Sequence, residues 1–126
     1  MSNDQKVVTD PSVYTELSAQ QRVMTVLQLA GHTPEQIDNL TRRHSHIGVL
    51  VNNIATCRDV RHKVACDEMR TKAEAELMAN QPPSSTRRWT PLEELELIIT
   101  AAGDSKVPVQ LRRAFDTSRS LQADPV

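Results

Sequence analysis

Aromatic residues are scarce in this chain of 126 residues: they make up 2% of it, as Tyr14, Trp89 and Phe115. A core must therefore be built mainly from aliphatic side chains and methionine. In a chain of this length such a core gives only marginal stability. We expect oligomerisation or a partner to add to it.

Long apolar runs are also missing. No segment approaches the ~20 apolar residues that cross a bilayer, and the polar start MSNDQKVVTD lacks the apolar stretch of a secretory signal. We expect a cytoplasmic protein without a membrane partner, located in the host cytoplasm if the chain is phage-encoded.

The two cysteines, Cys57 and Cys66, are nine residues apart in a helical pattern. About 100° per residue puts them on opposite faces, as reduced thiols.

Catalytic signatures are absent as well: there is no glycine-rich phosphate loop, no nucleophile elbow and no carboxylate pair in an apolar setting, so we expect no enzyme. Asp59, His62 and Cys66 have a helical spacing that could bind zinc. No CxxC or second cluster completes a ligand set, however, and we expect neither a metal nor a cofactor.

Helix signals run along the whole chain. Asp10 before Pro11 predicts a first helical region that reaches Ala30 and ends at Gly31. Thr33, Pro34 and Gln36 predict a capping box that starts a short second helix. Residues 47 to 80 contain no proline and only one glycine, which predicts one long central helix, straight or bent. The sequence therefore indicates an all-α protein.

A proline-rich segment, NQPPSST at residues 80–86, divides the chain into two predicted helix-turn-helix-like modules, 11–79 and 87–121. In the second module Thr90 and Glu93 form a predicted capping box around Pro91. Trp89 then lies just outside the helix, where it can pack over Leu92, Leu95 or Ile99. Phe115 can complete this core, and Asp116–Ser118 offers the cap of a third helix.

Residues 87–121 resemble the SANT/Myb-like helix-turn-helix. The matching order is Trp89-Thr90-Pro91, then Glu94, Leu97, Ile98 and Ala101, then Val107, Leu111 and Arg113, then Ser118 and Leu121. The resemblance implies a core tryptophan and a third helix, from about Thr117, that enters the major groove.

The amino-terminal half resembles prokaryotic and phage helix-turn-helix proteins over residues 18–79. GHTPEQIDNLTRRHSHIGVLVNNI supplies a supporting helix, the turn TRRHS and a second helix capped by Ser45. Asp38 and Arg42 depart from the alanine and glycine that such motifs prefer. Residues 57–79, which follow, resemble the helix after the helix-turn-helix in phage terminase small subunits, which are small, helical and ring-forming.

Charge alternates along the chain although the total is only −1. Residues 41–72 carry seven Lys and Arg against three Asp and Glu, and residues 105–126 carry four against two. The other two segments, 1–40 and 73–104, are acidic. In each half the part that would approach DNA is thus basic, as phosphate contact requires.

The sequence hypothesis is a protein that binds double-stranded DNA, as a prokaryotic or phage regulator of transcription and as a homo-oligomer. The candidate DNA-binding residues form two groups: Arg42, Arg43, His44, Ser45, His46 and Asn52 in the first half, and Arg112, Arg113, Ser118 and Arg119 in the second. One alternative is a terminase-like factor that recognises DNA for packaging. Another is a helical adaptor or inhibitor that binds a partner protein through the long helix, with the cations merely solvated.

Overall fold

The computed structural model describes residues 8–54, 60–82, 89–103 and 106–122. Within these ranges the regular structure is entirely helical, which confirms the predicted all-α fold. The α-helices, in chain order, are α1 (Pro11–Tyr14), α2 (Ala19–Leu29), α3 (Pro34–Leu40), α4 (His46–Asn52), α5 (Lys63–Ala79), α6 (Pro91–Gly103) and α7 (Val109–Gln122). A 3₁₀ helix, Val60–His62, leads into α5.

The first helical region, predicted to run to Ala30, is divided into two helices. Asp10 caps α1 as predicted, but this helix ends after four residues. Ser18 then caps α2 in a capping box with Gln21. The box gives the first backbone N–H groups of α2 side-chain acceptors, so a new helix starts here instead of the old one continuing.

Gly31 ends α2 in the left-handed conformation, with φ 106°, as predicted. The N–H of Gly31 donates to the Gln28 carbonyl, and the N–H of His32 donates to the Leu27 carbonyl. These two bonds form a Schellman motif. Two residues later the predicted capping box of Thr33 and Gln36 opens α3.

The central segment is not one helix from Ile47 to Asn80. α4 ends at Asn52, and the long helix α5 begins only at Lys63. The carboxylate of Glu76, near the end of α5, accepts hydrogen bonds at the start of α4. The two helices thus lie side by side in opposite directions, an arrangement that one continuous helix cannot adopt. Cys57 and Asp59 lie outside the described residues.

α6 begins as predicted, with Thr90 and Glu93 in a capping box. The predicted third helix is not formed, because α7 runs unbroken through Asp116–Ser118 to Gln122. Cap-forming side chains do not by themselves break a helix, and Asp116 here pairs with Arg119 one turn further on. The described part of residues 87–121 therefore contains two helices and not three.

The two predicted modules share one hydrophobic core. α2 packs on α6, and α5 also contacts α6. Trp89 is buried in this core as predicted, while the ring of Phe115 packs edge-on against Tyr14, with 5.6 Å between the ring centroids. The largest fully buried apolar side chains come from both halves: Tyr14, Leu27, Ile47, Leu50, Leu77, Leu95, Ile98, Leu111 and Phe115.

Polar contacts also join the halves. Nε2 of His32, just after α2, lies 2.5 Å from Oε2 of Glu94 on α6, and both side chains are buried. Arg22 of α2 donates from Nε to the Ala101 carbonyl near the end of α6, at 2.8 Å. The carboxy-terminal half is thereby fixed against α2 and against His32, which lies between α2 and α3.

Candidate nucleic-acid interface

Residues 41–45 form the turn between α3 and α4, and Ser45 holds both sides of it. The Ser45 hydroxyl donates to the carbonyl of Leu40 and accepts from the backbone N–H of Gly48. Ser45 is therefore the predicted N-cap of α4. Its hydroxyl is buried and engaged in the turn, so the structural role of Ser45 is to cap α4, and its predicted DNA contact stays a prediction.

Gly48 allows α4 to lie directly against the turn. A Cβ atom at this position would be 2.8 Å from the Arg42 carbonyl oxygen and 3.0 Å from that of Thr41. Both neighbours are backbone atoms, so they could not move aside as a flexible side chain does. The close approach fixes the backbone that carries the cationic residues of the turn.

Arg42, Arg43 and His44 are exposed on this turn. The Arg42 Nε atom is 3.7 Å from Oδ2 of Asp38, and these side chains are 68% and 74% exposed. Such an exposed pair contributes little energy, so the guanidinium group can exchange this contact for a phosphate. We call the turn that carries Arg42, Arg43 and His44 the cationic turn, after its two arginines.

A carboxylate from another helix covers the start of α4. Glu76 accepts hydrogen bonds from the backbone N–H of His46 at 3.0 Å and of Ile47 at 2.9 Å, and it lies 3.3 Å from Nδ1 of His46. Sequence reasoning missed this contact. The only signal was indirect: α4 has no acidic residue in its own first turn, where a negative group is stabilising.

Asn52 is exposed at the other end of α4. Its Oδ1 atom accepts from Nε2 of Gln20 on α2 at a long 3.5 Å. The two amides stand at a small cavity of about 120 Å³ between α2 and α4, which Val23, Met24 and Val51 also line. Asn52 and His46 are thus polar side chains that α4 presents at its two ends.

The second predicted group lies on α7. Arg112, Arg113 and Arg119 are exposed, whereas Ser118 is half-buried. Arg119 is 3.4 Å from Asp116 on its own helix. These residues belong to a single packed helix, so they do not sit on the separate recognition helix that the SANT/Myb-like resemblance implied.

No helix in the described ranges is long and apolar enough to cross a membrane. Within the same ranges, no group of three or more His, Cys, Asp or Glu residues is arranged to hold a metal ion. Cys66 is buried as a free thiol. Comparisons with known protein families, curated proteins and solved structures find no match for this chain.

Proposed function

We propose that this protein binds double-stranded DNA through the cationic turn and acts as a prokaryotic or phage regulator of transcription. The observation that carries the proposal is the exposure of Arg42, Arg43 and His44 on a turn whose backbone is fixed by Ser45 and Gly48. A fixed cationic turn between two short helices is suited to phosphate contact, because its backbone loses little conformational freedom on binding.

The distribution of charge along the chain also supports DNA contact at the cationic turn. Residues 41–72 carry the largest positive excess of the four segments, in a chain whose net charge is −1. Arginine supplies most of the cations and can contact phosphate or guanine with two parallel hydrogen bonds. The α7 arginines would form a secondary contact in this arrangement.

The contact of Glu76 with α4 shapes how DNA would approach. Its carboxylate occupies the backbone N–H groups at the start of the helix, a place that attracts phosphates in many DNA-binding proteins. Phosphate contact would therefore rest on the side chains of the turn. The exposed polar groups of α4, His46 and Asn52, are the ones left to face base edges.

Replacement of Arg42 and Arg43 by alanine tests the proposal. We expect weaker binding to any duplex sequence and a salt dependence whose slope falls by about 0.9 for each phosphate that the variant no longer neutralises. Affinity is measured across a salt series by fluorescence anisotropy. The matched control replaces Arg112 and Arg113, and we expect a smaller decrease in affinity from it. Equal and negligible decreases in both variants would contradict DNA binding through either group.

A protein-binding adaptor is the second candidate, and α5 is the observation that favours it. Val64 and Met78 are exposed large apolar side chains on this helix, and partner proteins commonly bind such faces.

A packaging factor related to terminases would differ from a regulator in assembly size. A ring-sized particle in light scattering would favour packaging, and absence of any duplex binding would favour the adaptor.

A further inference from the structure

The small cavity between α2 and α4 has walls without charge. Its volume is about 120 Å³. The described residues that line it are Gln20, Val23, Met24, Thr41, Gly48, Val51 and Asn52. Charged residues make up 25% of the chain, yet none of these carries a charge. A charged ligand would lose hydration here without gaining a counter-charge, so the cavity favours an uncharged occupant.

Three of the lining residues are large and apolar. Val23 is buried, and Met24 and Val51 are half-buried. They can cover an aliphatic group and remove it from water. An apolar cavity of about 150 Å³ is large enough to bind one benzene molecule. The cavity between α2 and α4 therefore has room for a single molecule slightly smaller than benzene.

Two side-chain amides supply the polar part of the lining. Nε2 of Gln20 donates to Oδ1 of Asn52 at 3.5 Å, which is long for a hydrogen bond of this kind. Within the described part of the chain, it is the only hydrogen bond that either side chain makes. The Thr41 hydroxyl, by contrast, already donates to the Ile37 carbonyl at 2.8 Å. The two amides are thus the lining groups with donors and acceptors to offer a ligand.

We propose that this cavity binds a compact, uncharged small molecule that carries a carboxamide group, a function separate from DNA contact at the cationic turn. A carboxamide presents a carbonyl acceptor and an N–H donor side by side. The ligand carbonyl accepts from Gln20 while the ligand N–H donates to Asn52. Its aliphatic part lies against Val23, Met24 and Val51. A ketone of the same size offers an acceptor only and leaves the Asn52 oxygen without a donor.

Titration of the full chain with propionamide, followed by heteronuclear NMR, tests the site. We expect saturating shifts of the side-chain amide signals of Gln20 and Asn52, with a dissociation constant roughly in the millimolar range for so small a ligand. Propionate and butanone have the same number of non-hydrogen atoms as propionamide. Both are expected to bind roughly tenfold more weakly or less, because propionate is charged and butanone has no N–H donor. Shifts that do not saturate, or equal affinities for the three probes, would overturn the proposal.

Leucine variants test the two amides. Gln20→Leu and Asn52→Leu are each expected to weaken propionamide binding by roughly five- to tenfold, because each removes one hydrogen bond. Asn53→Leu is the matched control, since Asn53 donates to the Val49 carbonyl of its own helix and does not line the cavity. An equal decrease in the control, or none in Gln20→Leu, would overturn the assignment. If Asn52→Leu loses helical signal, Gln20→Leu decides.

The site is tested without DNA, so its outcome is separable from the proposed function. Arg42→Ala with Arg43→Ala is expected to bind propionamide as the wild type does, because neither arginine lines the cavity. Asn52 belongs to both proposals, whereas Gln20 belongs to the cavity alone. Propionamide binding without duplex binding would support the site and overturn the proposed function. Duplex binding without propionamide binding would overturn the site alone.

Discussion

At the scale of single residues, the buried pair of His32 and Glu94 is the polar contact whose mutation we expect to lower the free energy of unfolding most. Removing one member of a buried pair leaves the other without a partner, which typically costs about 3–5 kcal/mol. Among the described residues no partner reaches Nδ1 of His32 or Oε1 of Glu94, so neither side chain has a second contact to fall back on. We expect His32→Leu and Glu94→Leu each to lower the free energy of unfolding by that amount, measured in urea.

The double variant is the control for this pair. Because replacing both members by apolar groups removes the need for a partner, His32→Leu with Glu94→Leu is expected to be more stable than either single variant. Destabilisations that simply add in the double variant would show that the two side chains are not coupled.

Asp10 gives the amino-terminal cap a dependence on pH. Hydrogen bonds from the hydroxyl and then the backbone N–H of Ser12, at 2.8 and 3.0 Å, hold the pKa of Asp10 below its usual value. A depressed pKa stabilises the folded state above the unfolded value of about 3.9, and the effect is lost as the pH falls through the folded value.

The stability difference between wild type and Asp10→Ala should therefore be constant near neutral pH and shrink below about pH 4. Thermal unfolding across a pH series measures it. Ser12→Ala keeps the backbone bond and should reduce the effect only in part. A difference that grows in acid would contradict the assignment.

At the scale of elements, Gly48 determines how closely α4 packs on the turn. Alanine normally stabilises a helix interior by about 1 kcal/mol relative to glycine. At this position its Cβ would be 2.8 Å from the Arg42 carbonyl oxygen, and such overpacking costs about 1–3 kcal/mol. We expect Gly48→Ala to lower the free energy of unfolding and also the affinity for duplex DNA. An increase in stability would mean that the turn yields easily.

Several helix starts, and the end of α2, were the predictable part of the fold, because they depend on neighbouring residues. Thr33 with Gln36, Ser45, and Thr90 with Glu93 all cap helices as predicted, and Gly31 ends α2. The capping box of Ser18 and Gln21 was equally visible in the sequence, but residues 11–30 were interpreted as a single helical region. Local chemistry was the better guide there.

Features that depend on distant partners could not be predicted. No proline or glycine marks the end of α4 in the sequence. The orientation of this helix is set by packing against α5 and by the contact with Glu76. The pairing of His32 with Glu94 joins residues 62 positions apart and leaves no local pattern. For the candidate site, the exposed arginines and the cap by Ser45 were predictable from the sequence, whereas the covering of α4 by Glu76 was not.

At the scale of the whole molecule, the shared core predicts one cooperative unfolding transition. Trp89 fluorescence and the helical circular dichroism of the full chain should give the same urea midpoint, because α2 and α6 form one packed unit. Trp89→Ala removes a buried ring at a cost of about 3–5 kcal/mol and should lower the midpoint of the entire helical signal. Two separated transitions, or a helical signal that survives in part, would indicate independent halves.

The bonds that cross between the halves also mean that the peptide connection between them is not what keeps them together. α2 without α6 would leave Arg22 without the Ala101 carbonyl, His32 without the Glu94 carboxylate, and an aliphatic helix face in water. Each half thus supplies the hydrogen-bonding partners and the apolar surface that the other half needs. A chain cleaved between them has the contacts needed for fragment complementation, in which two inactive pieces reassemble into a folded whole.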